Sequence, residues 1–224
     1  MLINKEKFDQ IVAELKSKNV RLVAVSKTKS PEAITELYQL GQKDFGENYV
    51  QELVDKQAQL PKDINWHFIG HLQTNKVKFI APFVHLIHGV DSLKLIKEIN
   101  KQGEKNNRVI KILLQVHIAE EDTKFGLNEN ELEEVLAVVL SSPAEFKNIS
   151  IVGLMGMASF SNNETQVRKE FRYLKSLFDK YKIKTAENCR LKTLSMGMSG
   201  DYLIAIEEGS TLVRIGSLIF GSRT

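Results

Sequence analysis

KILLQVHI, residues 111–118, is nearly continuous apolar sequence inside a candidate strand over 109–118. That pattern suits a parallel strand buried on both faces. The chain after it changes period. Asn128 and Glu131 have capping-box spacing, and Leu132, Val135, Leu136 and Val139 then repeat at helical intervals. ISIVGLMGM at 149–157 returns to a strand pattern. Strand, helix and strand in this order make a crossover unit, and the same alternation runs outward to both ends of the chain.

Upstream, strands are expected at 21–26, 43–46, 66–69 and 84–90, and downstream at 192–196 and 211–215. Helical patterns fill the gaps at 31–40, 49–59, 74–81, 93–101, 129–140, 164–181 and about 201–208. Ser30 followed by Pro31 is a helix start, and Gly41 is a stop signal. Alternating elements argue for a parallel sheet, and eight pairs suit a closed barrel better than an open sheet. The expected fold is α/β, a single-domain (β/α)8 TIM barrel over residues 1–224, with an extra N-terminal helix near 5–16 covering the gap beside strand eight.

Composition is that of a globular protein, with 42% hydrophobic and 26% charged residues. A net charge of +3 with no basic tract argues against nucleic acid as a partner. A lone Cys189 excludes an internal disulfide and a cysteine-based zinc site. There is no signal-peptide core and no apolar run of membrane-spanning length, so a cytoplasmic location is expected.

In such barrels, function sits at the C-terminal ends of the strands. Lys27 follows LVAVS, and alternation puts Val23, Val25 and Lys27 on one face. If the valines fill the barrel, the lysine points into its mouth. There it needs an anionic partner or loses its charge, and a neutral amine attacks a carbonyl to form a Schiff base. A solvated strand-end lysine is the competing reading. SMGMSGD at 195–201 places Ser199 and Gly200 at a helix start, suited to an anion or to plain capping. VRIGS at 213–217 puts Leu212, Arg214 and Gly216 on one face. Such an arginine needs phosphate, a ring nitrogen or a carboxylate as its acceptor. Together these features describe a cofactor bearing both an aldehyde and a phosphate.

Other candidates carry less. His67 and His71 are four residues apart but span a strand end, not a helical turn. His85, His88 and His117 read as core or strand-end residues. Asn48 and Asn75 can donate amide hydrogen bonds or serve as loop spacers.

The segments AVSKTK (24–29), FGENYVQE (45–52), WHFIGHLQTNK (66–76), GLMGMA (153–158), LSMGMSGDYLIAIEEGST (194–211) and VRIGSLIFGSR (213–223) span nearly the whole chain. In these the sequence resembles the pyridoxal phosphate homeostasis protein family, single-domain relatives of the barrel domain of alanine racemases. The resemblance implies that Lys27 carries pyridoxal 5′-phosphate (PLP) as an internal aldimine. It also implies that Ser199, Gly200, Gly216 and Ser217 surround the phosphate, with Arg214 near the phosphate or the pyridine nitrogen. Asn48 would face the cofactor from the second loop. One position departs from the family: His117 stands where asparagine is usual, with Glu121, Lys124 and Gly126 retained.

The implied function is intracellular PLP homeostasis: holding the cofactor and buffering it or delivering it to PLP-dependent apoenzymes, without robust catalysis. The alternative is a PLP enzyme, foremost an amino-acid racemase. That needs a second acid/base group opposite Lys27, for which Tyr49 is the nearest loop candidate. A sugar-phosphate lyase using Lys27 is a third reading. The sequence ends at Thr224, soon after strand eight, without the β-domain through which racemases dimerise. A monomer is therefore expected.

Overall fold

A computed structural model describes residues 2–120 and 125–221. Glu121 and Lys124 lie outside the described residues, as do positions 222–224. Eight parallel strands close into a barrel in sequence order. They are β1 (Arg21–Val25), β2 (Asp44–Glu47), β3 (Asn65–Phe68), β4 (Leu86–Val90), β5 (Ile110–Gln115), β6 (Ile149–Met155), β7 (Cys189–Ser195) and β8 (Leu212–Ile215). The closing pair is set by Val23 opposite Arg214 and Ala24 opposite Ile215.

The helices are α1 (Lys5–Ser17), α2 (Pro31–Gln39), α3 (Val50–Gln59), α4 (Val77–Ile80), α5 (Leu93–Lys105), α6 (Glu129–Ser141), α7 (Glu164–Tyr181), α8 (Tyr202–Glu207) and α9 (Ser217–Phe220). Local chemistry places their starts. The Ser30 side chain accepts from the Ala33 N–H ahead of Pro31. Asn128 and Glu131 form a reciprocal capping box. Caps of this kind each contribute about 1 kcal/mol. The stretch expected as a helix over 74–81 divides into a 3₁₀ turn, Thr74–Lys76, and α4. A short helix, α9, was not expected. It is tied to the chain's start by the Asn4 N–H donating to the Ile219 carbonyl at 2.7 Å. The N-terminal helix therefore closes the seam beside β8.

Alternation sorts the strand residues into two layers. On β5, Ile112 and Leu114 join the large core under the helices, while Leu113 joins a small cluster with Leu86 and Met155. Lys111 is exposed, but the ILLQ run at 112–115 is buried on both faces, as a parallel strand should be. Across the closing seam Val23 pairs with Arg214, so the buried valine and the buried arginine stand side by side near the barrel mouth.

Candidate ligand site at the barrel mouth

The seven residues singled out from sequence, Lys27, Asn48, Ser199, Gly200, Arg214, Gly216 and Ser217, all line one cavity of about 650 Å³. They come from the C-terminal ends of β1, β2, β7 and β8. The loop after β6 adds Met157, Ser159 and Phe160.

The backbone carrying Lys27 is held on both sides. The Ser26 hydroxyl donates to Glu47 Oε1 at 2.6 Å, and the Lys56 ammonium donates to the Ser26 carbonyl at 2.7 Å. Lys56 also bridges Glu47 Oε1 at 2.8 Å and Glu52 Oε1 at 2.7 Å. Glu52 Oε1 in turn accepts the Thr28 N–H at 2.6 Å. Thr28 has φ 64, a left-handed backbone that a β-branched residue rarely adopts, so this carboxylate holds a strained turn. Burial pushes the Glu47 carboxyl up, and Lys56 and Ser26 work against that rise.

Beside Lys27, across the seam between β1 and β8, the β7 and β8 loops meet. The Gly216 N–H donates to Ser199 Oγ at 3.2 Å. Asp201 Oδ1 accepts the Met198 N–H at 2.6 Å and shapes the turn that Gly197 permits with φ 96. The amides of Ser199, Gly200, Ser217 and Leu218 meet no protein acceptor among the described residues. Together they offer a ring of donors for an anion. Helix α8 starts at Tyr202, so Ser199 and Gly200 lie in the turn before it rather than inside its first turn.

Arg214 is buried, with its guanidinium donating to Ser195 Oγ at 2.6 Å and to the Gly156 carbonyl at 3.1 Å. Burial pulls its pKa down to about 10, and Asp201 opposes this from a distance. Both acceptors are neutral, so its charge is left for whatever occupies the cavity. Asn48 presents a buried Oδ1 with no partner among the described residues. Its backbone is fixed by Gly70, where a Cβ would come within 2.3 Å of the Asn48 carbonyl oxygen.

Several candidates stand elsewhere. Tyr49 precedes α3, is 60% exposed and does not line the cavity. Asn75 is exposed in the 3₁₀ turn, and His71 stacks on Phe125. Burial pushes the Cys189 thiol up to about 11, which leaves it unreactive. The Lys56 clamp was not anticipated, because Glu52 and Lys56 look like ordinary polar residues of a surface helix and Glu47 like a charge at a strand end. Glu170 was missed in the same way. It is buried and accepts both the N–H and the hydroxyl of Ser159 at 2.7 Å, holding the β6 loop at the cavity's edge.

Closed barrel and lined mouth together define a class. Residues 4–224 match the alanine racemase N-terminal domain model, and the chain belongs to that family. Within it, the chain is a member of the pyridoxal phosphate homeostasis protein family. It is 44% identical over 204 residues to the pyridoxal phosphate homeostasis protein of Aquifex aeolicus (strain VF5), covering 91% of this chain and 87% of that one. It is 40% identical over 233 residues to the protein of that name from Homo sapiens, covering 97% and 83%. PipY of Synechococcus elongatus PCC7942, solved with PLP bound, superposes with a TM-score of 0.82 at 34% identity, covering 94% of this chain and 98% of that one. Its PLP-free form gives 0.89 at 33% identity, covering 96% and 99%. Among the described residues no helix is long and apolar enough to cross a membrane.

Proposed function

We propose that this protein binds PLP at the barrel mouth through a Schiff base on Lys27, and that it serves intracellular PLP homeostasis by buffering the cofactor or delivering it to PLP-dependent apoenzymes. One observation carries the reading. A single cavity brings together an amine, a set of amides with no acceptor among the described residues, and a buried arginine with neutral partners. These match an aldehyde, a phosphate and a hydrogen-bond acceptor such as a pyridine nitrogen in one ligand. Bound there, PLP would supply an aldehyde that bonds reversibly to amines, and Lys27 is the amine that would hold it and could yield it to another amine. The amides of Ser199, Gly200, Ser217 and Leu218 hold the phosphate, Arg214 and Asn48 orient the ring, and the Lys56 clamp presents Lys27. PLP bound to the related PipY supports the assignment.

The lining also favours holding over turnover. Its described ionisable side chains are Lys27, Lys29, Asp201 and Arg214. One Asp201 oxygen is taken by the Met198 amide. Among the described lining residues there is no tyrosine, histidine, cysteine or glutamate to serve as a second acid/base group beside Lys27. Such a group typically contributes about 10²–10⁴-fold to proton transfer.

The test is to add PLP, reduce with borohydride and map the modified peptide. The pyridoxyl group should sit on Lys27 and be absent in Lys27→Ala, which should still fold. A label found solely on another lysine would end the assignment. Robust D-amino-acid formation by loaded protein, lost in Lys27→Ala, would establish the racemase instead.

A further inference from the structure

Below the cavity, polar side chains run down the barrel interior. Arg214 Nη1 lies 2.6 Å from Ser195 Oγ, and Ser195 Oγ lies 3.1 Å from His88 Nδ1. His88 Nε2 is 2.9 Å from His67 Nδ1, and His67 Nε2 is 2.9 Å from Asp44 Oδ1. Ser195, His67 and His88 are fully buried. We propose that this is a one-way hydrogen-bonded chain that fixes the Arg214 guanidinium at the ligand site, with His88 and His67 as positioning residues. The link to PLP rests on the function proposed above; the chain itself does not.

Donor and acceptor chemistry sets the direction. A guanidinium has no acceptor, so Arg214 donates to Ser195 Oγ. The Ser195 hydroxyl then has one hydrogen to place, and His88 Nδ1 is its side-chain neighbour. That nitrogen must be bare, so neutral His88 carries its proton on Nε2 and donates to His67 Nδ1. His67 in turn carries its proton on Nε2 and donates to the Asp44 carboxylate. Every ring nitrogen is used once, and both imidazoles are neutral.

The reversed chain needs an Nδ1–H on His88. It leaves the Ser195 hydrogen without an acceptor, and it either turns a bare His67 nitrogen on Asp44 or buries a second cation. Burial acts against that cation. It holds His88 well below the ordinary histidine range, helped by His67 and Arg214, and it lowers His67 despite Asp44. Burial also tends to raise the Asp44 carboxyl, but the His67 hydrogen bond and the nearby His85 and Arg21 more than reverse this, so the chain ends on an anion.

Asp44, His67 and His85 do bring three ligand-type atoms within 4.8 Å of one another. Arg21 and Lys111 lie beside His85 and repel a divalent cation, and the 2.9 Å Asp44–His67 contact is already a hydrogen bond. The carboxylate-ended chain therefore fits this floor better than a metal does.

Ser195 is what the chain acts through. With its hydrogen committed downward, its lone pair faces Arg214 and fixes one edge of the guanidinium, while the Gly156 carbonyl fixes another. The free N–H groups then point in one direction.

The test begins with apo-protein labelled with ¹⁵N in its imidazoles. Two-bond proton–nitrogen spectra, assigned with His67→Gln and His88→Gln, should show both rings as neutral Nε2–H tautomers from pH 7.5 down to 6. An Nδ1–H tautomer or an imidazolium at either residue would overturn the chain, as would stoichiometric displacement of the His67 signals by micromolar zinc. PLP absorbance titrations supply the second readout. His88→Gln keeps the polarity, since its carbonyl accepts from Ser195 and its amide donates to His67. It should bind PLP within about threefold of wild type, while His88→Leu should lose about tenfold or more. Equal affinity for Leu, Gln and wild type would show that the chain positions nothing. If His88→Leu does not fold, the wild-type tautomers decide. If wild type fails to bind PLP while its tautomers are as expected, the cofactor reading falls and the chain stands.

Discussion

Lys56 sits on a helix of mostly polar residues, yet its side chain is only 6% exposed and Glu47 beside it is fully buried. An ion pair so enclosed does little for stability against an apolar replacement of both partners, but removing one partner strands a charge. Lys56→Met should therefore cost about 3–5 kcal/mol in urea unfolding, and adding Glu47→Gln should recover much of it. The pH dependence follows from the same charge. Burial raises the folded-state pKa of Glu47, and losing Lys56 raises it further. A raised carboxyl keeps its stability at low pH and loses it as pH rises through the folded value. The single variant should thus weaken from acid toward neutral pH more than wild type does. A flat difference between the two would show that Glu47 is not the stranded group. Lys27 was legible because a lysine ending an apolar strand is anomalous. Its clamp was not, because Glu47, Glu52 and Lys56 become unusual only once burial is known.

At the scale of elements, the two loops of the proposed anion cradle differ in how tightly they are built. A Cβ on Gly200 would meet nothing within 4 Å, and its backbone is not left-handed. A Cβ on Gly216 would come within 3.0 Å of the Val25 carbonyl, because β8 leaves the barrel against β1. Gly200→Ala should leave stability unchanged or raise it by up to about 1 kcal/mol through the unfolded chain, while weakening PLP binding by crowding the phosphate. Gly216→Val should lower both the melting temperature and PLP affinity. Thermal melts beside absorbance titrations separate the two, and equal loss of stability would refute the distinction. Helix starts at Ser30–Pro31 and Asn128–Glu131 were legible because caps are local chemistry. The four-residue α9 was not, since SLIF after Gly216 is too short to show a period. The inward histidines read only as core or strand-end residues because β4 carries a register irregularity between Ile87 and Val90. Alternation alone therefore gives no inward set on that strand.

Across the whole molecule, the barrel interior is divided between an apolar patch of Leu86, Leu113 and Met155 and a polar column from Asp44 to Arg214. Filling a barrel with neutral imidazoles makes the fold sensitive to acid. His67 and His88 are held below the ordinary histidine value by burial, and burial with His67 and Lys111 pushes His85 down to about 4. In the unfolded chain all three bind protons near pH 6.5, and in the fold they do not until lower pH. Stability is therefore fully present above about pH 6.5 and is lost as pH falls toward the folded values. Glu47 acts in the opposite sense, since its raised carboxyl takes up a proton in the fold first. Three lowered histidines outweigh one raised carboxyl, so a net number of protons is taken up on unfolding as pH falls below about 6.5. The slope of urea-derived unfolding free energy between pH 6.5 and 5 measures that number. His88→Gln removes one of the titrating rings while keeping its hydrogen bonds, so it should flatten the slope by about one proton. An unchanged slope in that variant would mean that His88 is already protonated in the fold, and a column carrying a second buried cation beneath Arg214 could not run in the direction drawn from Ser195 to Asp44.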